Sequence, residues 1–244
     1  MDPLIEHNRQ IAQYVRDGKC VSITKIGTER LHTLNHYMAA GTTANLNEGV
    51  RNGFYINSGV FPKDPKHHDR ACRLILQSLL DTTHMSIGAT PTSNTHKQNN
   101  PIFQKYKHLD QIFPQAIEPF RSTEPWTREL KGKTVLVAHP FTTTIANQFI
   151  KKDLVWGNRV NDFLPFDDLE LLELPMSYHL YDQYPYEYTN WVDMIQDLKD
   201  QIVQKEFDVF ICGGGAMAIP LCAFARSMGK TAIDSTIWVI NMKK

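Results

Sequence analysis

The feature that most constrains this chain is the alternation, in its second half, of short apolar runs with amphipathic helical stretches. Residues 133–138 read Lys-Thr-Val-Leu-Val-Ala and residues 207–212 read Phe-Asp-Val-Phe-Ile-Cys. Runs this apolar, without polar alternation, belong to strands covered on both faces, as in a parallel sheet. Each is followed by a turn and a helical pattern, over about 142–151 and 218–228. Leu169–Leu174 reads as a further strand and Thr231–Asp234 as the last one. Between these two, Asn190–Lys205 sets Trp191, Met194, Ile195, Leu198, Ile202 and Val203 on one side of a helix. Strands alternating with helices predict an α/β fold, Rossmann-like, with a mostly parallel sheet and helices on both faces.

The first half carries a weaker form of the pattern. Pro3–Asp17 has Leu4, Ile5, Ile11 and Val15 at roughly helical spacing, and Gly18 ends it. Lys19–Ile26 reads as a strand and Gly27 as a turn. Thr28 is placed to cap a helix that runs to about Ala40. Asp64–Thr82 carries a helical stripe through Ala71, Leu74, Ile75 and Leu79, and Met85–Ala89 is a short strand candidate. Thr90–Asn100 is a long polar loop, which inside a compact domain is functional or mobile. No linker composition interrupts residues 1–244, so one domain is expected, with residues 1–18 as an N-terminal helix.

Composition narrows the partners. Lys plus Arg and Asp plus Glu both number 26, for a formal net charge of zero. That balance gives no electrostatic basis for nucleic-acid binding. The start of the chain is polar, unlike a signal peptide. The most apolar long stretch, Val209–Ala225, is broken by three glycines and Pro220, and no membrane span is expected. Cys20, Cys72, Cys212 and Cys222 form no Cys-x-x-Cys pair and have mostly apolar neighbours. They read as buried, reduced thiols in a cytoplasmic protein.

Ligands of open α/β sheets sit beyond the carboxyl ends of the strands. Three such ends carry chemistry here. Gly213-Gly214-Gly215, with Ala218 and then Asp234 about 20 residues on, has the spacing of a dinucleotide fingerprint. It suits a phosphate on backbone amides, an NAD(P) site, or a tight turn required for packing. Gly27-Thr28-Glu29-Arg30 places a carboxylate just past a strand, suited to a Mn²⁺ or Mg²⁺ bridging a diphosphate or to the positive end of a helix dipole. His139, after a buried strand, is a candidate acid–base or phosphate contact, and Thr142, Thr143 or Thr144 could cap the next helix or bind phosphate. His67-His68-Asp69 resembles a metal cluster, but adjacent helical residues do not share a face, so it reads as a solvated helix end. The tyrosines of 178–188 could stack on a sugar or cover the edge of the core.

Four segments carry a resemblance. Glu124-Pro-Trp-Thr-Arg-Glu-Leu-Lys-Gly-Lys-Thr-Val-Leu-Val-Ala-His-Pro-Phe141, with Thr144-Ile-Ala-Asn-Gln148, is the first. Phe207-Asp-Val-Phe-Ile-Cys-Gly-Gly-Gly-Ala-Met-Ala-Ile-Pro-Leu-Cys222, continuing to Ile233, is the second. Ser22–Glu29 and Asn57-Ser-Gly-Val-Phe-Pro62 complete the set. In this order they resemble bacterial surface-polysaccharide proteins similar to glycosyltransferases of the GT-D type, over most of residues 20–234. The resemblance implies a Rossmann-like transferase that moves a sugar from a UDP-, GDP- or dTDP-linked donor to a glycan acceptor. It implies donor contacts at Gly27, Thr28, Glu29, Arg30, Asn57, Thr144 and Gly213–Gly215, and a metal on Glu29. The family carries Asp-x-Glu after its first strand, where this chain has Gly27-Thr28-Glu29-Arg30. Arg30 could therefore supply charge to a diphosphate and reduce the need for metal. The family's C-terminal tail is replaced by Asp234-Ser-Thr-Ile-Trp-Val-Ile-Asn-Met-Lys-Lys. Two other readings stand beside the transferase. One is an NAD(P)-dependent oxidoreductase using Gly213, Gly215, Ala218 and Asp234. The other is a non-catalytic nucleotide-binding or assembly protein of the same fold.

Overall fold

The computed structural model describes residues 2–87, 100–175 and 187–235. Seven strands form one sheet: β1 Ser22–Ile26, β2 His84–Ile87, β3 Asp110–Gln111, β4 Thr134–His139, β5 Asp168–Glu173, β6 Val209–Cys212 and β7 Thr231–Asp234. Their order is β3-β2-β1-β7-β6-β4-β5, and every pairing is parallel. The helices of nine residues or more are α1 Pro3–Arg16, α2 Thr28–Ala40, α3 Glu48–Ile56, α4 Pro65–Ser78, α5 Thr142–Ile150, α6 Trp191–Val203 and α7 Ala218–Ser227. The fold is the Rossmann-like α/β architecture that the alternation predicts.

Strand side chains alternate between two cores. Ile26, Met85, Ile87, Leu136, Ala138, Phe210, Cys212 and Ala232 meet Leu34 of α2, Phe54 of α3, Ile75 of α4, Ile195 of α6 and Leu221 of α7. Ile23, Val135, Val137, Val209, Ile211 and Ile233 meet Ile11 and Val15 of α1, Trp126, and Ile145 of α5. This two-sided burial explains why residues 135–138 of β4 and all of β6 are apolar without alternation. The helices after neighbouring strands β4 and β6 lie on opposite faces. The chain leaves β4 outward to β5 and leaves β6 the other way, to β7. A reversal of this kind opens a crevice at the carboxyl edge of the sheet.

Several expectations are corrected. α3, which sequence periodicity missed, has Asn47 as its cap, with Oδ1 accepting from Gly49 N–H. Thr28 does not cap α2: Gly27 holds the cap position, with no side-chain hydrogen bond. The threonines of 142–144 do not cap α5 either, because the cap position falls on Phe141. Cys20 is exposed, its Sγ donating to the Gly229 carbonyl at 2.9 Å, while the other three cysteines are buried. His67-His68-Asp69 is not a solvated end. Asp64 caps α4, His68 is fully buried with its ring nitrogen on the Val60 carbonyl, and Asp69 accepts from Thr42 and Thr43.

Gly214 shows how tightly the β6–α7 turn is packed. A Cβ on it would stand 2.7 Å from Leu174 Cδ1 and 3.2 Å from Met217 Cβ. Crowding of this size destabilises a core by about 1–3 kcal/mol. We expect Gly214→Ala to lower the melting temperature, and Gly214→Ala combined with Leu174→Ala to be less destabilised than the sum of the two single changes. Strict additivity in chemical denaturation would show that the contact is relieved in some other way.

Candidate functional site

The carboxyl ends of β1, β7, β6 and β4 lie side by side. With strands about 4.8 Å apart, the span from β1 to β4 is about 14 Å. Every strand-end loop singled out in the sequence therefore opens on one edge. Gly27–Arg30 follows β1, Asp234 ends β7, Gly213–Gly215 follows β6, and His139 ends β4.

At β1, Glu29 and Arg30 both curl over the turn. A Cβ on Gly27 would lie 3.5 Å from Arg30 Nη2 and 4.0 Å from Glu29 Oε2. Gly53 of α3 admits the stem of Glu29, with a Cβ there standing 3.1 Å from Glu29 Cγ and 3.8 Å from Asn57 Nδ2. Residues 27–30 and Asn57 are thus gathered in one place, although α3 lies between them in sequence. Thr28, Glu29 and Asn57 are exposed.

At β6 the three glycines differ. The Gly213 N–H donates to the Ala138 carbonyl at 2.8 Å, extending the β4–β6 ladder, so this amide is not available to a phosphate. Gly214 is required by packing. Gly215 has φ +58°, a left-handed conformation that favours glycine, and it is half-buried at the start of the turn into α7. Of the three, Gly215 best fits a close approach by a ligand.

At β4, His139 is buried, and its Nδ1 accepts the Phe141 N–H at 3.0 Å. The ring proton must then reside on Nε2. Burial lowers the pKa to about 4, so the ring is neutral near pH 7. A neutral imidazole whose bare nitrogen is already occupied can donate from Nε2, but it is poorly placed to take a proton. This geometry favours the phosphate- or hydroxyl-contact role expected for His139 over the role of a base. Thr144 is exposed in the first turn of α5.

Sequence reasoning missed a charged group beneath this edge. Lys25 Nζ donates to Glu118 Oε1 at 2.8 Å, and the Lys25 N–H donates to Asp234 Oδ2 at 3.0 Å. Asp234 is only 3 % exposed, and burial raises its pKa against the opposing pull of Lys25 and Arg30. The signal available in sequence was a lysine within the short β1 strand. An Asp234 engaged in this way, inside the protein, is a poor ribose ligand for the dinucleotide reading.

Among the described residues, no three His, Cys, Asp or Glu side chains come together as a metal-binding group. Glu29 is a single carboxylate on the same turn as the Arg30 guanidinium. Of the covering loops expected from sequence, 90–99 and 178–186 lie outside the described residues. Asn100 is the cap of the short helix Pro101–Lys105, and Tyr188 donates to Asp197 Oδ2 at 2.6 Å.

The helix starts divide into two groups. α1, α3, α4 and α6 have side-chain caps from Asp2, Asn47, Asp64 and Asn190. α2, α5 and α7, which follow β1, β4 and β6, have none. Uncapped first-turn amides with the positive end of a helix dipole are suited to anions. No family profile matches the chain, and neither curated proteins nor solved structures include a significant match to it.

His139 and His68 both have pKa values lowered to about 4 from the ordinary 6.5, chiefly by burial. Between these values the unfolded chain binds more protons, so stability rises with pH. We expect the melting temperature to fall as pH is lowered from 6.5 toward 4. His139→Asn, which keeps an acceptor for Phe141, should flatten that dependence. An imidazole of His139 that titrates near 6.5 by NMR would contradict it.

Proposed function

We propose that this protein is a glycosyltransferase that takes a sugar from a nucleoside-diphosphate donor and passes it to a glycan acceptor. The observation that carries the reading is that Gly27–Arg30, Gly215 and His139 lie at the carboxyl ends of β1, β6 and β4 on one edge of the sheet, whose order reverses between β6 and β4, with Asn57 beside the β1 turn. The resemblance of four ordered segments to GT-D transferases supports it from sequence.

The roles follow from the chemistry. A leaving nucleoside diphosphate needs donors fixed before the bond breaks. Arg30 brings positive charge to the β1–α2 turn, and the first turn of α2 offers amides. His139 Nε2–H can donate to a phosphate or a sugar hydroxyl, and Glu29 and Asn57 can accept from or donate to the sugar. Among the described residues, no helix is long and apolar enough to cross a membrane. A reading in which the protein acts from the cytoplasm fits that observation.

The experiment is a thermal-shift screen with UDP-, GDP- and dTDP-sugars, with NAD(H) and NADP(H) as controls, followed by assay of donor hydrolysis for any ligand that binds. A nucleotide sugar should raise the melting temperature by mass action, and Arg30→Ala should abolish most of the shift. A shift with NAD(P) alone would favour the oxidoreductase. Binding with no turnover on any acceptor would favour a non-catalytic protein of this fold.

A further inference from the structure

The three helices that leave the carboxyl edge without a side-chain cap are not equivalent as anion sites. α2 carries Glu29 in its first turn, and a carboxylate there opposes an incoming anion. α7 is entered through residues 216–221, all of them buried. α5 differs from both. It has no acid in its first turn, and Thr143 and Thr144 are exposed. Among the described residues nothing accepts from the amides of Thr142, Thr143 or Thr144, and the first helical bond runs from the Ile145 N–H to the Phe141 carbonyl at 3.0 Å.

The second observation is His139, which is only 6 % exposed. Its place in β4 puts it on the same face as Val135 and Val137, the face that α5 covers. Nδ1 accepts the Phe141 N–H at 3.0 Å, so the ring is held against the residue at which α5 begins. Nε2, separated from Nδ1 by one ring carbon, carries the proton, and among the described residues no group accepts it. An N–H left unpaired on a side chain this buried calls for an acceptor from outside the chain.

We propose that the β4–α5 turn is a phosphate-binding subsite, in which the His139 Nε2–H and the first-turn amides of α5 hold the oxygens of one phosphate group. A phosphate brings several acceptor oxygens to several donors, and the helix start favours its charge. No lysine or arginine occurs between Lys133 and Lys151, so recognition rests on oriented N–H groups rather than on a point charge. An imidazole kept neutral by burial serves as one of those fixed donors. The turn also lies where the strand order reverses between β6 and β4, the place at which ligands of open α/β sheets collect. The subsite itself does not depend on sugar transfer. Under the transferase reading its phosphate comes from the donor's diphosphate or from a phosphate on the acceptor.

The test is titration of the isotope-labelled full chain with pyrophosphate, inorganic phosphate and sulfate, followed by amide NMR, with chloride at equal ionic strength as control. We expect pyrophosphate to move the amide signals of Thr142, Thr143 and Thr144 and the His139 Nε2–H signal along one saturable curve. His139→Asn, which keeps an acceptor for Phe141, should weaken that binding by about tenfold. Thr143→Asp places an acid in the first turn, which stabilises a helix start, and should abolish the binding in a chain that still folds. UDP, GDP and dTDP are then added. Competition with pyrophosphate at these signals assigns the phosphate to the donor. A nucleotide that binds without moving them, while a sugar 1-phosphate does, assigns it to the acceptor. Signals at 142–144 that stay fixed throughout, or that move equally in Thr143→Asp, would overturn the subsite. Failure of every nucleotide sugar to bind, with the pyrophosphate response intact, would remove the transferase reading alone.

Discussion

The parallel sheet is covered on both faces, and the rest of the structure follows from that. A strand buried on two sides has no solvated face on which to carry polar chemistry, because an unpaired polar group there is costly. Functional groups are therefore displaced to the strand ends, where the backbone leaves the sheet. Lys25 is a charged residue within β1. It is tolerated because Glu118 receives its ammonium while its own N–H goes to Asp234, so the charge sits in a small neutralising network at the boundary between core and edge. Breaking one member of such a buried network is more damaging than its net worth, because the partner is left uncompensated.

The second half of the fold was legible because its patterns are strong and local. The run at 133–138 is β4 displaced by one residue, 207–212 contains β6, and Thr231–Asp234 matches β7. The first half was less so, for specific reasons. α3 is short and contains two glycines, and it depends on the Asn47 cap and on burial of Phe54 and Tyr55. β3 is two polar residues that become a strand only by pairing with His84 and Met85 of β2. His68 looked solvated because its neighbours are polar, yet packing of α4 turns it inward against Phe54. Helix caps were misassigned at α2 and α5 because a threonine near a helix start is only a propensity, and the chain continued to helix one residue earlier.

For the site, the motifs that follow a strand were easy to find, and the sheet order then brings them together. The order itself was not readable, since β1 joins β7 and β4 joins β6 across long separations. The link between Lys25 and Glu118 spans 93 residues and leaves no local trace. Nor does sequence distinguish the three glycines after β6. The fold separates Gly213, engaged in the ladder, from Gly214, fixed by Leu174, and from Gly215, held at positive φ.

The position of β1 also bears on how the molecule is made. It lies in the interior of the sheet, with β2 on one side and β7 on the other, and β7 is the last strand among the described residues. During synthesis the edge of β1 that will meet Ala232 and Ile233 stays unpaired until residues 231–234 have left the ribosome. The pairing closes a loop of most of the chain, and topologies of that kind fold slowly and expose strand edges meanwhile. The Gly27–Arg30 edge acquires its β7 neighbour only when translation has passed Asp234.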